Sequence, residues 1–207
     1  MKGYYINLNN RTDRKQHIED MKETYSFFKD IERFEAIKDI KGEIGCAKSH
    51  LSVLHKLSKK NEPYYLILED DFIILNENNF LLFEKAFNEI KNNDSWDIIT
   101  LTPRGTTEKH YFINDFHKII DSQTTSGYII KHRFIHILFH YFKLGLWILM
   151  NNGLPIHGSI DQTWKPLQLR SKFLYYDKIF AGQSDGYSDI EKQIVNYNDR
   201  FIDQNRY

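Results

Sequence analysis

The 207 residues are enough for one sizeable core, or one core with a small appendage, and too few for two ordinary domains, so a single domain over residues 1–207 is expected. Lys plus Arg (28) equals Asp plus Glu (28), which leaves no net charge to drive binding to nucleic acid or anionic lipid; recognition of phosphate has to be local. The single cysteine, Cys46, excludes an internal disulfide framework, fits a reducing compartment and reads as a small buried hydrophobe.

The N-terminus goes straight into a strand-like pattern, Tyr4 to Leu8, with no secretory apolar region and cleavage site. The expectation is therefore a cytoplasmic protein, of a bacterial cell or a virus-infected host cell. Asn9 and Asn10 offer capping side chains to a helix from about Arg11 to Phe28, on which Ile18, Met21, Tyr25 and Phe28 recur at three- and four-residue steps. Arg33 to Ile37 reads as a second strand. From Glu43 to Lys59 a helix places Ile44, Ala47, Leu51 and Leu54 on one face. Pro63 ends that region, and Tyr64 to Phe72 is predicted as a buried strand.

Phe80, Phe83, Phe87 and Ile90 mark a further helix, and Asp97 to Leu101 another buried strand. Strands alternating with helices predict an α/β fold with a mainly parallel central sheet flanked by helices. Beyond Pro103 the pattern gives strands at His117 to Asp121 and Tyr128 to Lys131, helices at Phe134 to Asn151 and Ile160 to Leu169, and a final strand at Lys172 to Phe180. The polar tail from Ser188 is expected to wrap the surface. The longest apolar stretch, Phe134 to Met150, is interrupted by His136, His140 and Lys143 and is short for a bilayer; it reads as a buried or semi-exposed helix, with no transmembrane segment. Its aromatic residues leave peripheral membrane contact open.

The strand from Tyr64 ends in three consecutive carboxylates, Glu69, Asp70 and Asp71. At the carboxyl end of a strand in an open α/β sheet they would face the ligand crevice, where like charges raise one another's pKa until a cation compensates them. Oxygen ligands of this kind suit Mn²⁺ or Mg²⁺; the alternative is a solvated acidic turn. No Walker loop and no Gly-x-Gly-x-x-Gly is present, so phosphate must be gripped otherwise. Arg11 and Arg14 stand near a helix N-terminus, where guanidinium forks and free amides can hold a diphosphate, although a solvated first turn has the same pattern. In Gly42-Glu43-Ile44-Gly45-Cys46-Ala47-Lys48-Ser49-His50 two glycines permit close backbone approach of a ligand, and Lys48, Ser49 and His50 offer donors. His136 and His140 lack a Glu in zincin spacing. Asp161, just inside a predicted helix start, is by itself only a favourable charge on the dipole.

Taken in order, Ile6-Asn7-Leu8 with Arg11 and Arg14, the Gly42 to Leu51 block and Leu68-Glu69-Asp70-Asp71 closely resemble the family 25 glycosyltransferases. Ser126-Gly127-Tyr128-Ile129-Ile130, Asp161, and Gln183 with Ser188-Asp189-Ile190 continue the likeness over nearly the whole chain. The resemblance implies a GT-A type nucleotide-sugar-binding fold, a UDP-galactose or UDP-glucose donor, a divalent metal (Mn²⁺ or Mg²⁺) and inverting transfer to a glycan or protein acceptor. It implies that Asn7, Leu8, Arg11, Arg14, Asp39, Lys48, Ser49, His50, Glu69 and Asp70 bind the donor. It assigns Glu69 and Asp71 to the metal, and no histidine follows His157 to add a further ligand, a role that Gln183, Ser188 or Asp189 could take. Asp161 is the first choice for the base that inversion requires and Asp189 the second. A nucleotide-sugar or glycan-binding protein without chemistry is the rival. A metal-dependent nuclease is disfavoured by a neutral chain with few clustered lysines.

Overall fold

The computed structural model describes residues 1–106, 111–188 and 193–197. Strand β1 (Gly3–Asn7) leads into helix α1 (Thr12–Thr24), a 3-10 turn (Ser26–Phe28) and β2 (Ile31–Glu35); α2 (Gly42–Leu57), β3 (Tyr64–Glu69), β4 (Phe72–Ile74) and α3 (Glu77–Ile90) follow. Next come β5 (Ile98–Thr100), β6 (Arg104–Thr106), β7 (Tyr111–Ile113), β8 (Phe116–Lys118), β9 (Asp121–Gln123), β10 (Gly127–Lys131) and the long helix α4 (Ile135–Met150). Short helices α5 (Pro155–Gly158), α6 (Ile160–Thr163) and α7 (Lys165–Arg170) precede β11 (Phe173–Tyr176), β12 (Ala181–Gln183), β13 (Gly186–Ser188) and β14 (Gln193–Val195).

One eight-stranded sheet runs in the order β2-β1-β3-β10-β5-β11-β8-β7. β1 is parallel to β2 and β3, and β11 to β5; β10 and β8 run against their neighbours, so six of the eight strands share one direction. The strands alternate strictly between two cores. Tyr4, Ile6, Tyr65, Ile67 and Tyr128 enter the layer that holds α2, α4 and Trp164, whereas Tyr5, Leu66, Leu68 and Ile129 face α1 and α3. The second layer is dominated by Phe28, Phe80, Phe83, Phe87 and Phe180, with Phe83 and Phe180 stacked at 4.5 Å.

Several boundaries differ from the sequence reading, each for a local reason. The asparagines do not cap α1: Arg11 occupies the cap position without a side-chain cap bond, and Asn9 Oδ1 instead accepts from Arg33 Nη2 at 3.4 Å. The predicted strand Tyr64 to Phe72 stops at Glu69, because Asp70 and Asp71 turn the chain before Phe72 starts β4, which pairs with β12. Ile160 to Leu169 is two short helices that meet at Trp164, whose ring is fully buried and whose Nε1 donates to Ser122 O at 3.1 Å. Lys172 to Phe180 is strand only over Phe173–Tyr176. The tail does not simply coat the surface: β13 pairs with β14, and Tyr187, Ser188 and Tyr197 face a cleft.

Candidate active site

The carboxyl ends of β1, β2 and β3 open on a cleft of about 600 Å³, closed on its other side by the starts of α2 and α6. The three carboxylates of the β3 turn lie on its floor in three distinct environments. Glu69 Oε1 is met by His50 Nε2 at 3.1 Å and by the Thr125 hydroxyl at 2.9 Å, while His50 Nδ1 lies 3.1 Å from Tyr128 Oη. Burial pushes the Glu69 pKa up, but the His50 and Thr125 contacts outweigh it and hold the group below its ordinary value. Asp70 Oδ2 accepts from Asn7 Nδ2 at 2.8 Å and Oδ1 from Arg14 Nη1 at 3.0 Å; burial nevertheless leaves its pKa raised.

Asp71 is the least satisfied carboxylate of the three. Gln183 Nε2 donates to Oδ2 at 3.2 Å and Arg14 Nη1 stands 3.8 Å from the same oxygen, but Oδ1 is buried with no hydrogen-bond partner. Burial first, and then the Glu69 charge, push this carboxyl up to about 7.

The opposite wall is built by α2 and the segment after β2. Gly45 is required by the chain itself: a Cβ there would lie 2.6 Å from Ile37 O. The close approach that the glycine pattern suggested is thus backbone on backbone, and it lets Ser49 Oγ accept from Ile37 N at 2.8 Å while donating to Gly45 O at 2.7 Å. Lys48 Nζ holds Asp39 Oδ2 at 2.7 Å and lowers its pKa. Cys46 lies half-buried on this wall, its thiol pushed well up by burial and then by the neighbouring carboxylates, so it stays neutral. Asp161 at the start of α6 also faces the cleft; burial, then the Glu69 charge, raise its pKa.

Leu8, Arg14, Asp39, Ser49, His50, Glu69, Asp70, Asp71, Asp161 and Gln183 line one cleft. Asn7, Arg11 and Lys48 stand one step behind it. Asn7 is almost wholly buried and fully engaged, giving Nδ2 to Arg11 O and Asp70 and taking Arg33 Nε on Oδ1 at 2.9 Å. Arg11 grips Asp13 and, with Arg14, donates to Tyr187 O, at 3.3 and 3.2 Å respectively, which ties the tail hairpin to α1. Asp189 lies outside the described residues. Sequence reasoning gave no role to Arg33, Thr125 or Tyr128, which brace Asn7, Glu69 and His50. Tyr128 stood in the Ser126 to Ile130 segment of the family likeness, and Thr125 was marked only by its place before β10, whose register sets Ser126 O 2.8 Å from Glu69 N.

The residues fit a divalent cation. Glu69 and Asp71 both bring hard carboxylate oxygens to the cleft, and Asp71 Oδ1 is a buried acceptor with nothing to accept from.

The sheet order, with its cleft at the strand ends, defines a GT-A type fold, and solved structures share it. A glycosyltransferase involved in the glycosylation of the major capsid of PBCV-1 superposes with TM-score 0.57 at 11% identity, over 92% of this chain and 95% of that one. Apo UDP-glucose pyrophosphorylase superposes with TM-score 0.50 at 9% identity, over 89% and 74%. No curated protein sequence matches the chain. The family model of glycosyltransferase family 25 (LPS biosynthesis protein) matches residues 40–146, which carry the α2 block, the acidic turn and β10. The chain belongs to glycosyltransferase family 25.

Proposed function

We propose that this glycosyltransferase is a metal-dependent hexosyltransferase that uses UDP-galactose or UDP-glucose as donor and inverts the anomeric centre. The observation that carries the reading is Asp71 Oδ1, a buried carboxylate oxygen without a partner beside Glu69, in the cleft that also holds Arg14 and Asp161. Glu69 and Asp71 would hold Mn²⁺ or Mg²⁺, with Gln183 as a third contact from β12. When bound, such an ion would offset negative charge on the donor diphosphate and on the departing UDP.

Arg14 is held in place by Asp70 and the Tyr187 carbonyl, so its charge is fixed before the donor enters and supports the diphosphate without reorganising. Asp39, oriented by Lys48, would contact the nucleoside. Asp161 would accept the proton of the acceptor hydroxyl as that oxygen forms its bond to the anomeric carbon and the bond from that carbon to UDP breaks. Its raised pKa makes it a better base than a solvated aspartate. Calorimetry with UDP in the presence and absence of Mn²⁺, followed by a donor-hydrolysis assay, tests the reading. Mn²⁺-dependent binding with turnover supports it, and loss of turnover is expected for Asp71→Ala. Binding with no turnover across UDP-sugars and acceptors would assign a binding module, and unchanged turnover in Asp71→Ala would remove the metal assignment.

A further inference from the structure

We propose that the outer face of α4, together with the 154–156 loop beyond it, is a docking surface for an anionic phospholipid bilayer. The proposal rests on this surface alone and is independent of the donor and metal assignments. The stretch His132–Met150 is long and apolar enough, by length and composition, to cross a bilayer. It cannot leave the fold to do so, because Ile135, Leu138 and Phe142 on its inner face are built into the core with α2 and the sheet. What it offers is its other face.

That face is graded. Toward its N-terminal half the exposed positions are His136, Ile137 and His140, followed by Lys143, and toward its end they are all apolar: Leu144, Trp147 and Met150. Trp147 is 63% exposed, whereas Trp96 and Trp164 are fully buried. The apolar end continues into Leu154 and Ile156, which are 63% and 66% exposed. A shallow depression lined by Leu144, Ile148, Ile156 and Leu169 joins α4 to α7. An aromatic and aliphatic tip of this kind, beside basic side chains, is how an interfacial helix meets a bilayer.

Charge selects the occupant. The chain is neutral overall, yet the exposed cations of this face, Lys143 and Arg170, have no carboxylate partner among the described residues. No carboxylate lies on α4. Lys143 lies on the stripe and Arg170 on α7 beside Leu169, while Lys165 is paired with Asp121 at 2.7 Å. A negatively charged surface complements this arrangement. A second copy of the chain would instead set the same basic groups against each other across a two-fold interface. Pro155 and Ile160 line the active-site cleft, so the docked tip sits at the cleft's rim and would hold its mouth close to the lipid surface.

Trp147 is a built-in reporter, because it is the one exposed tryptophan of three. The full chain is titrated with vesicles of phosphatidylcholine alone and of phosphatidylcholine with phosphatidylglycerol, and tryptophan emission is followed together with quenching by brominated lipid. Binding to the phosphatidylglycerol vesicles, with a blue shift that salt reverses, is the expected result. The double variant Leu144→Ser with Met150→Ser, which keeps Trp147, should bind roughly tenfold more weakly to them. The charge variant Lys143→Glu with Arg170→Glu leaves the apolar tip intact and should lose the preference for phosphatidylglycerol. Unchanged emission with both vesicle types, or equal binding by both variants and the parent, would overturn the proposal. So would sedimentation revealing a dimer that buries Trp147 while vesicles leave the protein free.

Discussion

At Glu69, Asp70 and Asp71 three adjacent carboxylates are given three roles by their neighbours, and this division is what the site's chemistry depends on. Thr125 and His50 together keep Glu69 ionised although it is partly buried. Thr125→Val removes one donor while conserving shape, so Glu69 is left less supported: a loss of about 1–2 kcal/mol in stability is expected from denaturant unfolding, with weaker Mn²⁺-dependent UDP binding in calorimetry. Asp161 makes a different kind of test. As the base it must be deprotonated, and burial has raised its pKa, so kcat/KM should fall with decreasing pH above the ordinary aspartate range. Asp161→Asn should lower kcat by roughly 10²–10⁴ with UDP affinity unchanged. Full activity in that variant would transfer the role to another group.

At the level of elements, how α2 meets the end of β2 decides whether the donor wall exists. Gly45→Ala would set a methyl 2.6 Å from Ile37 O, both of them backbone-fixed, so the start of α2 must move away from the 37–39 segment. The Ser49 to Ile37 bond is lost with that movement, and both the melting temperature and the affinity for UDP should drop; a variant that melts and binds like the parent would show that this contact is dispensable. The α2 element was legible in the sequence, since Ile44, Ala47, Leu51 and Leu54 recur at helical spacing and are all buried. So were β1, β3 and α4, because apolar runs and amphipathic stripes depend on short-range order. The direction of β10 was not legible: Gly127–Lys131 reads as a buried strand either way, and only its pairing with both β3 and β5 makes it antiparallel. The acidic turn was recognised by its residues, but its braces were not, because Arg33 and Thr125 reach Asn7 and Glu69 across sequence separations of 26 and 56. The fold class needed only local pattern, whereas the support of the site needed tertiary contacts.

Across the whole molecule, the site stores a conflict that a pH titration can read. Below about pH 4 Asp71 is protonated in the folded and the unfolded chain alike and contributes no pH dependence. Between there and its folded value of about 7, the unfolded chain has released this proton and the folded chain still holds it. The unfolded state then binds fewer protons, so ion-free stability falls as pH rises through that window, and it levels off above it. Asp70 and Asp161, also raised, act in the same sense; Glu69 is lowered, so its opposing contribution is confined to the acid end. In EDTA, a decrease in stability on the order of 2 kcal/mol, or about 5 °C in melting temperature, is expected between about pH 5 and pH 8. Mn²⁺ should restore most of it at the higher pH and little at the lower, where protons compete for the same oxygens. Asp71→Asn removes the titrating group, yet its amide oxygen can still accept from Gln183. This variant should therefore melt higher than the parent in EDTA at pH 8, with a flatter profile and no response to Mn²⁺. A parent profile that is flat or rises over this window would mean that Arg14 and Gln183 already satisfy Asp71, and the case for a cation at this turn would be lost.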